Sequence, residues 1–249
     1  MPRKSQSQKR NGTASRCNQQ IAAPEILLHE HRIPHSRPHE VSAITAKTDA
    51  QRRYINAIRA YPLTFATGPA GTGKTWLCAA IAAQMLTSGE IERIIITRPA
   101  VEAGENLGFL PGEIEEKYGP YLAPFNDVLN ERLGGAFVEY LVKNEQIVAA
   151  PLAYMRGTTF KNAFVILDEG QNTTPAQMKM FLTRIGENTR VVVNGDINQK
   201  DIHGISGLED AINRLSFIPK IKHVEFTHYD VVRSGLCQEI CQAYESPLV

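Results

Sequence analysis

Two stretches of the sequence combine residue types at a spacing typical of phosphate chemistry, and the first is "GPAGTGKT", residues 68–75. It matches the pattern G-x-x-x-x-G-K-[ST], in which glycines let backbone N–H groups turn towards phosphate oxygens and the following helix adds the positive end of its dipole. In this pattern Lys74 reaches the β and γ phosphates, and the Thr75 hydroxyl binds Mg²⁺. The predicted nucleotide-binding residues are Gly68, Pro69, Ala70, Gly71, Thr72, Gly73, Lys74 and Thr75.

The second stretch is "FVILDEGQN", residues 164–172, where an apolar run leads into two adjacent carboxylates. Successive apolar residues indicate a strand buried on both faces, so the two acids lie where the strand leaves the sheet. Beside a phosphate loop, Asp168 is expected to hold Mg²⁺ from the end of the strand next to the loop. Glu169 is expected to orient or deprotonate the water that attacks the γ phosphate. In isolation, the simpler interpretation of an Asp-Glu pair is a solvated strand end.

Further polar residues are predicted near the same edge of the sheet. The stretch "VVVNGDINQ" is another buried strand that ends in polar groups, which include Asp196 and Gln199. The Gln199 amide can bond the γ phosphate or its attacking water, although an Asn-Gly turn is the simpler alternative. Upstream, the Gln51 amide has the donor and acceptor needed for N6 and N7 of adenine. Tyr54 either stacks on the base or is a core aromatic residue.

These residues need a scaffold, and the rest of the sequence predicts strands that alternate with helices. Helices are predicted for "KTDAQRRYINAIRAY", residues 74–86, residues 112–145, "TPAQMKMFLTRIG", "SGLEDAINRL" and "SGLCQEICQAY", and strands for "LTFAT", "RIIIT", "QIVAA", "AFVILD", "RVVVNGD" and "IKHVEF". Thr173 or Thr174 is the expected cap of the helix that starts at Pro175. This alternation predicts an α/β fold with a mostly parallel sheet and helices on both faces.

The composition is that of one globular domain with a tail. The chain has 249 residues and is 43% hydrophobic, which is enough for a sizeable core without disulfides. Its four cysteines are scattered, which fits a reducing compartment. The apolar runs are too short for a membrane span, so we expect a soluble, cytoplasmic protein without a membrane partner. Residues 41–249 are the predicted folded domain.

Residues 1–40 differ in charge and amino-acid composition from the rest of the chain. They carry a formal charge of +4 against −3 for residues 41–249, and the first twenty residues have almost nothing apolar to bury. We therefore predict a disordered tail, which is either inert or an arm attracted to polyanions. A transit peptide is a further alternative. The four histidines of "HEHRIPHSRPHE" lack regular spacing, which favours a polar linker over a metal site.

Several long blocks of the sequence resemble one known family. "GPAGTGKT", "ITRPAVEAGENLGFLPGEIEEKYGPYLAPFNDVL", "APLAYMRGTTF", "VILDEGQNTTPAQMKMFLTRIGENTRVVVNGDINQKDI" and "SGLEDAI" are similar to the PhoH-like, phosphate-starvation-inducible ATPases, over about residues 45–245. The resemblance implies a RecA-like P-loop core related to superfamily 1 helicases, hydrolysis of ATP with Mg²⁺, and action on RNA. Gly170 stands where the family tends to have alanine, and Asn198 where threonine is common.

Three functions are compatible with these residues. The first is an ATP-dependent remodeller or helicase on RNA or other single-stranded nucleic acid, with Arg98, Arg156 and the basic tail as candidate phosphate contacts. Either arginine can instead be an ion-pair partner within the fold. The second is a small-molecule kinase, which an arrangement that positions water disfavours. The third is a nucleotide-gated assembly or regulatory factor with slow ATPase activity. The sequence identifies neither the RNA nor a partner nuclease.

Arg233, in "HYDVVRSG", is the residue predicted to complete the catalytic site. Phosphoryl transfer gains from an arginine placed against the developing charge, often one from a neighbouring subunit. Superfamily 1 helicases place the nucleotide between two cores, and this sequence contains one. We therefore expect a head-to-tail homo-oligomer, such as a hexameric ring, with Arg233 or less favourably Arg156 entering the next subunit's site. Internal pairing of Arg233 with Asp230 or Glu239 is the alternative.

Overall fold

A computed structural model describes residues 42–99 and 114–232 of the chain, together with the single position 235. In chain order the elements are α1 Asp49–Ala60, β1 Leu63–Thr67, α2 Lys74–Thr87, β2 Arg93–Arg98, α3 Ile114–Leu133, α4 Gly135–Lys143, β3 Ile147–Pro151, β4 Ala163–Leu167, α5 Pro175–Leu182, β5 Thr189–Gly195, α6 Gly207–Leu215 and β6 Ile221–Glu225. Each corresponds to a predicted helix or strand, and the predicted helical stretch 112–145 is divided into α3 and α4. The predicted last helix, residues 234–244, lies outside the described residues except at position 235.

The strands form one six-stranded sheet in the order β3-β2-β4-β5-β1-β6, and every pair of neighbours is parallel. The carboxyl ends of all strands therefore meet at one edge, which is where an open α/β sheet binds its ligands. The phosphate loop follows β1 and the two acids follow β4, with β5 between these strands. Our expectation that Asp168 ends the strand next to the loop was wrong in this respect, because a buried apolar strand carries no signal of its neighbours.

Helices cover both faces of this sheet, so the predicted α/β fold with a parallel sheet between helices is confirmed. Alternate residues of each strand point to opposite faces. In β4, Phe164 and Ile166 pack with α1, α2, α3 and α4, whereas Val165 and Leu167 pack with α5 and α6. All five β4 residues are buried. The strand that carries the acids is thus held from both sides, which fixes the direction in which its end points.

Local sequence signals account for several boundaries. α5 begins after Thr174, whose hydroxyl accepts a hydrogen bond from the Gln177 backbone while the Gln177 side chain bonds back to Thr174. This capping box resolves the predicted choice between two threonines in favour of the second. Within the described parts of the chain, no helix combines the length and apolar character needed to cross a membrane.

Candidate nucleotide-binding site

The loop between β1 and α2 requires glycine at two positions. Gly68 has φ 134°, and a Cβ there would lie 2.2 Å from the carbonyl oxygen of Phe226. Gly73 has φ 84°, and a Cβ there would lie 2.9 Å from Nε2 of Gln51. A side chain at Gly68 would force the backbone at Phe226 to move, and one at Gly73 would displace the Gln51 amide. The loop is therefore built tightly against two other segments, the start of α1 and the chain that follows β6.

Lys74, the first residue of α2, lies inside this loop. Its ammonium donates hydrogen bonds to the carbonyl oxygens of Gly68 at 2.6 Å and Pro69 at 2.8 Å, and to the Thr72 hydroxyl at 3.2 Å. Burial lowers the pKa of Lys74, and the carboxylates of Asp196, Asp168 and Glu169 act in the opposite direction. A half-buried cation whose hydrogen bonds go to neutral acceptors gains from an anionic one, because charge-assisted hydrogen bonds are the stronger class.

The two acids at the end of β4 have different environments. Asp168 is buried, and one of its carboxylate oxygens accepts hydrogen bonds from Nε of Arg98, at 3.1 Å, and from Nη2 of the same guanidinium. The Glu169 side chain is about half exposed and lies 4.0 Å from Arg98. Glu169 also has φ 54°, a left-handed conformation uncommon for a residue with a side chain. Such backbone conformations cluster at functional sites.

The loop, the acids and the end of β5 enclose one cavity of about 300 Å³. Its lining consists of residues 70–76, Asp168, Glu169, Gly195, Asp196 and Gln199. Residues predicted from three separate stretches of the sequence thus share one site, although their roles stay predictions. Thr75 and Asp168 both face this cavity with oxygen donors, the ligand type that Mg²⁺ prefers. They would hold the metal, and the Arg98 guanidinium would share the Asp168 carboxylate with it.

Gln171 is a site residue whose role the sequence did not predict. Its buried amide donates to Glu169 Oε2 at 2.7 Å and to the Gln199 carbonyl at 3.4 Å, and accepts from the Asp196 backbone at 3.0 Å. One side chain therefore ties the exposed acid of β4 to the loop that follows β5. Its position three residues after Asp168 was the available signal, but contacts between separate strand ends cannot be read from one strand.

Gln51 and Tyr54 lie on the inner side of α1. Gln51 is 3% exposed, accepts a hydrogen bond from the Lys47 backbone at 2.7 Å and donates to the Thr72 carbonyl at 3.0 Å. Tyr54 is fully buried, and its hydroxyl donates to Asn194 at 2.6 Å. Tyr54 is therefore a core residue and does not stack on a base. The adenine contact of Gln51 stays a prediction, while the observed contacts make it a brace of the phosphate loop.

The three arginines singled out by sequence are in different situations. Arg98 pairs with Asp168 inside the candidate site, so it is engaged within the fold. Arg156 is exposed and follows the short 3₁₀ turn Leu152–Met155 after the edge strand β3. Arg233 lies outside the described residues, as do the tail 1–40 and its histidine-rich linker.

Two aromatic residues beside the loop were also not anticipated. Trp76 lines the cavity, and the Arg132 guanidinium lies 4.8 Å from the centre of its ring. Phe226 lies under the loop, with its ring centre 5.9 Å from the Lys74 ammonium. Both contacts are of the cation–π type, which stabilises a partly desolvated cation. Trp76 directly follows Thr75, so its place in the phosphate pattern was the signal that could have found it.

Comparison with known proteins gives a consistent family assignment. Residues 43–245 match the family model described as PhoH-like protein. The chain is 53% identical over 209 residues to Protein PhoH of Escherichia coli (strain K12), covering 82% of this chain and 59% of that protein. It is 50% identical over 205 residues to a PhoH-like protein of Bacillus subtilis (strain 168), covering 82% and 64%. The chain thus spans about three fifths of the length of these curated relatives.

Among solved structures, the chain is similar to the Pif1 helicase from Candida albicans. The TM-score is 0.38 at 15% sequence identity, over 74% of this chain and 41% of that chain.

Proposed function

The chain belongs to the PhoH-like protein family, and from that premise we propose that it binds ATP together with Mg²⁺ and hydrolyses it. The observation that carries this proposal is the shared cavity, which both Lys74 and Glu169 line. One group is suited to an anion and the other to a water molecule. An ATPase needs both within reach of one phosphoryl group.

The residues divide this reaction between them. The phosphate loop and Lys74 hold the β and γ phosphates, and Mg²⁺ neutralises charge that develops on their oxygens. Glu169 accepts the proton of the attacking water, and its solvent-exposed position lets that proton leave after each turnover. Gln199 orients the water or contacts the γ phosphate from the end of β5. Arg98 holds the Asp168 carboxylate in place through its two hydrogen bonds.

Two variants test this division of labour. We expect Lys74→Ala to abolish ATP binding, because it removes the half-buried cation at the centre of the loop. We expect Glu169→Gln to keep ATP bound but to lower kcat by about 100-fold or more, since general base catalysis contributes on that order. Binding is measured by calorimetry and turnover by phosphate release. Near-normal hydrolysis by Glu169→Gln would rule out its role as the base.

We further propose that the ATPase acts on RNA or another single-stranded nucleic acid. Arg156 supports this, because it is an exposed cation in the segment that follows β3. ATP turnover is measured with and without single-stranded RNA and with DNA of the same length, at two salt concentrations. Stimulation that weakens with salt supports phosphate contacts. Tight ATP binding with slow, unstimulated turnover would instead support a nucleotide-gated regulatory factor.

A further inference from the structure

The base of a bound nucleotide needs a partner, and the two residues that the sequence suggested for it are not exposed. Gln51 is 3% exposed, and both ends of its amide are bonded to backbone groups. Tyr54 is fully buried and bonded to Asn194. A base attached to phosphates in the loop can therefore stack only on other groups that reach solvent near the loop.

The segment that follows β6 is held against the phosphate loop at both of its ends. β6 pairs with β1 so that Glu225 lies opposite Thr67, and the Phe226 backbone donates to the Thr67 carbonyl at 2.7 Å. Six residues later, the Val232 backbone donates to the Gly71 carbonyl at 3.0 Å. The positions between these two hydrogen bonds have a fixed place beside the loop.

A closed turn fixes the middle of this segment. The Asp230 carboxylate accepts hydrogen bonds from the Thr227 backbone at 2.9 Å and from the Thr227 hydroxyl at 3.1 Å. The side chain of Thr48, the N-cap of the helix whose Gln51 braces the loop, also lowers the pKa of the Asp230 carboxyl and so lies close to it. Partial burial raises the pKa of Asp230, and these hydrogen bonds lower it by more, so the carboxylate stays charged. The segment is thus connected both to the loop and to α1.

The turn presents an exposed aromatic pair. Tyr229 is 81% exposed, and its ring centre lies 3.8 Å from that of His228, at an interplanar angle of 42°. Among the described residues, the other exposed large aromatics are Tyr154 and Phe217. Tyr154 follows β3, which is four strands away from β1 and so about 19 Å from it. Phe217 precedes β6 and belongs to the opposite edge of the sheet.

We propose that Tyr229, supported by His228, is the stacking platform for the base of the nucleotide bound in the phosphate loop. This inference rests on the proposed function and adds the subsite for the base. An exposed ring at the end of the strand next to β1 offers a π-face to a purine whose phosphates lie in the loop. Stacking accepts any base that has such a face. Tyr229 therefore supplies affinity for nucleoside triphosphates and little discrimination between adenine and guanine.

The test separates the contribution of the base to binding affinity from that of the phosphates. Dissociation constants for ATP, GTP and inorganic tripolyphosphate, each with Mg²⁺, are measured by calorimetry for the full chain. We expect Tyr229→Ala to weaken the binding of ATP and GTP by about 5- to 100-fold and to leave the affinity for tripolyphosphate unchanged, because only the base loses its partner. Tyr229→Phe keeps the ring and is expected to bind all three as the parent does. Tyr154→Ala and Phe217→Ala remove exposed aromatic residues elsewhere and serve as matched controls.

Each outcome has one meaning. Equal affinity of Tyr229→Ala and the parent for ATP overturns the platform while leaving the proposed ATPase intact. An equal loss of affinity for ATP and for tripolyphosphate also overturns the platform, because the substitution then acts on the phosphate loop. If the parent protein binds neither ATP nor tripolyphosphate, the proposed function itself is contradicted. Sedimentation of each variant shows whether a change in assembly accounts for the result, and a change specific to Tyr229→Ala would make this surface an interface between copies.

Discussion

Gln171 is the side chain through which the proposed base and the proposed γ-phosphate sensor are connected. Glu169 is half exposed, and its carboxylate accepts a hydrogen bond from the Gln171 amide at 2.7 Å. Without that donor, the carboxylate can rotate away from the line of attack. Because the same amide accepts from the Asp196 backbone, it also holds the loop that carries Gln199. Gln171 is therefore a positioning residue in the proposed reaction.

We expect Gln171→Ala to lower kcat by about 10- to 100-fold with little change in KM, since a small misplacement of a catalytic group has an effect of that order. Steady-state phosphate release measures both constants. Asn172→Ala is the matched control, because Asn172 makes similar hydrogen bonds, but to Asp201. If the two variants lose the same activity, the effect is structural and Gln171 has no separate role.

At the scale of elements, His223 of β6 connects its strand to the root of the phosphate loop. Its Nε2 lies 2.7 Å from the hydroxyl of Thr67, the last residue of β1. Partial burial of the ring lowers the pKa of His223, and the nearby Glu225 carboxylate offsets part of this effect. The folded protein therefore favours neutral histidine. The contribution of neutral His223 to the free energy of unfolding is fully present above the pKa of the unfolded state, about 6.5. It is lost as the pH falls through the lower pKa of the folded state.

This gives a pH prediction for the β1–β6 pair. Thermal unfolding of the parent and of His223→Gln is followed from pH 7.5 to pH 5, and the difference between their Tm values is compared. We expect the advantage of the parent to shrink as the pH falls, because the parent alone must keep this side chain uncharged. Other titrating groups are common to both proteins and cancel in the difference. A difference that is constant across this range would show that His223 does not titrate in the way its environment implies.

The sequence predicted the elements well because their signals are local. β1 has the predicted limits, and the capping box of α5 lies within four residues. The contacts it did not predict join residues far apart in the chain. Arg98 and Asp168 are 70 residues apart, and whether an arginine binds a carboxylate or an external phosphate depends on which strands are neighbours. Gln51 matched an adenine contact by type, but its burial against Thr72 follows from packing of α1 on the loop.

At the scale of the whole molecule, the proposed head-to-tail assembly stays a prediction that depends on Arg233. Arg233 lies outside the described residues, but the residue before it, Val232, is hydrogen-bonded to the phosphate loop of its own subunit. This contact favours the alternative in which Arg233 stays within its own subunit and pairs with Asp230 or Glu239. The two cases differ in what happens when inactive subunits are combined.

We expect a mixture of inactive Arg233→Ala and inactive Lys74→Ala proteins to recover part of the ATPase activity if the arginine acts across an interface. Mixed rings then contain interfaces at which both groups are intact. The activity is measured after subunit exchange, which labelled proteins confirm. Failure to recover activity despite exchange, or an active enzyme that sediments as a monomer, would place the arginine in its own subunit.

The hydrogen bond between Val232 and Gly71 has a mechanical consequence. Tension that reaches residue 232 acts on the backbone of the phosphate loop through this bond. Gly71 has φ 81° and no side chain, so no side-chain contact holds the loop at this position. A partner that grips the later part of the chain would thereby strain the loop, and a nucleotide that stiffens the loop would resist that partner. Optical-tweezer unfolding from the carboxyl end would record this as a first rupture force that rises with bound nucleotide.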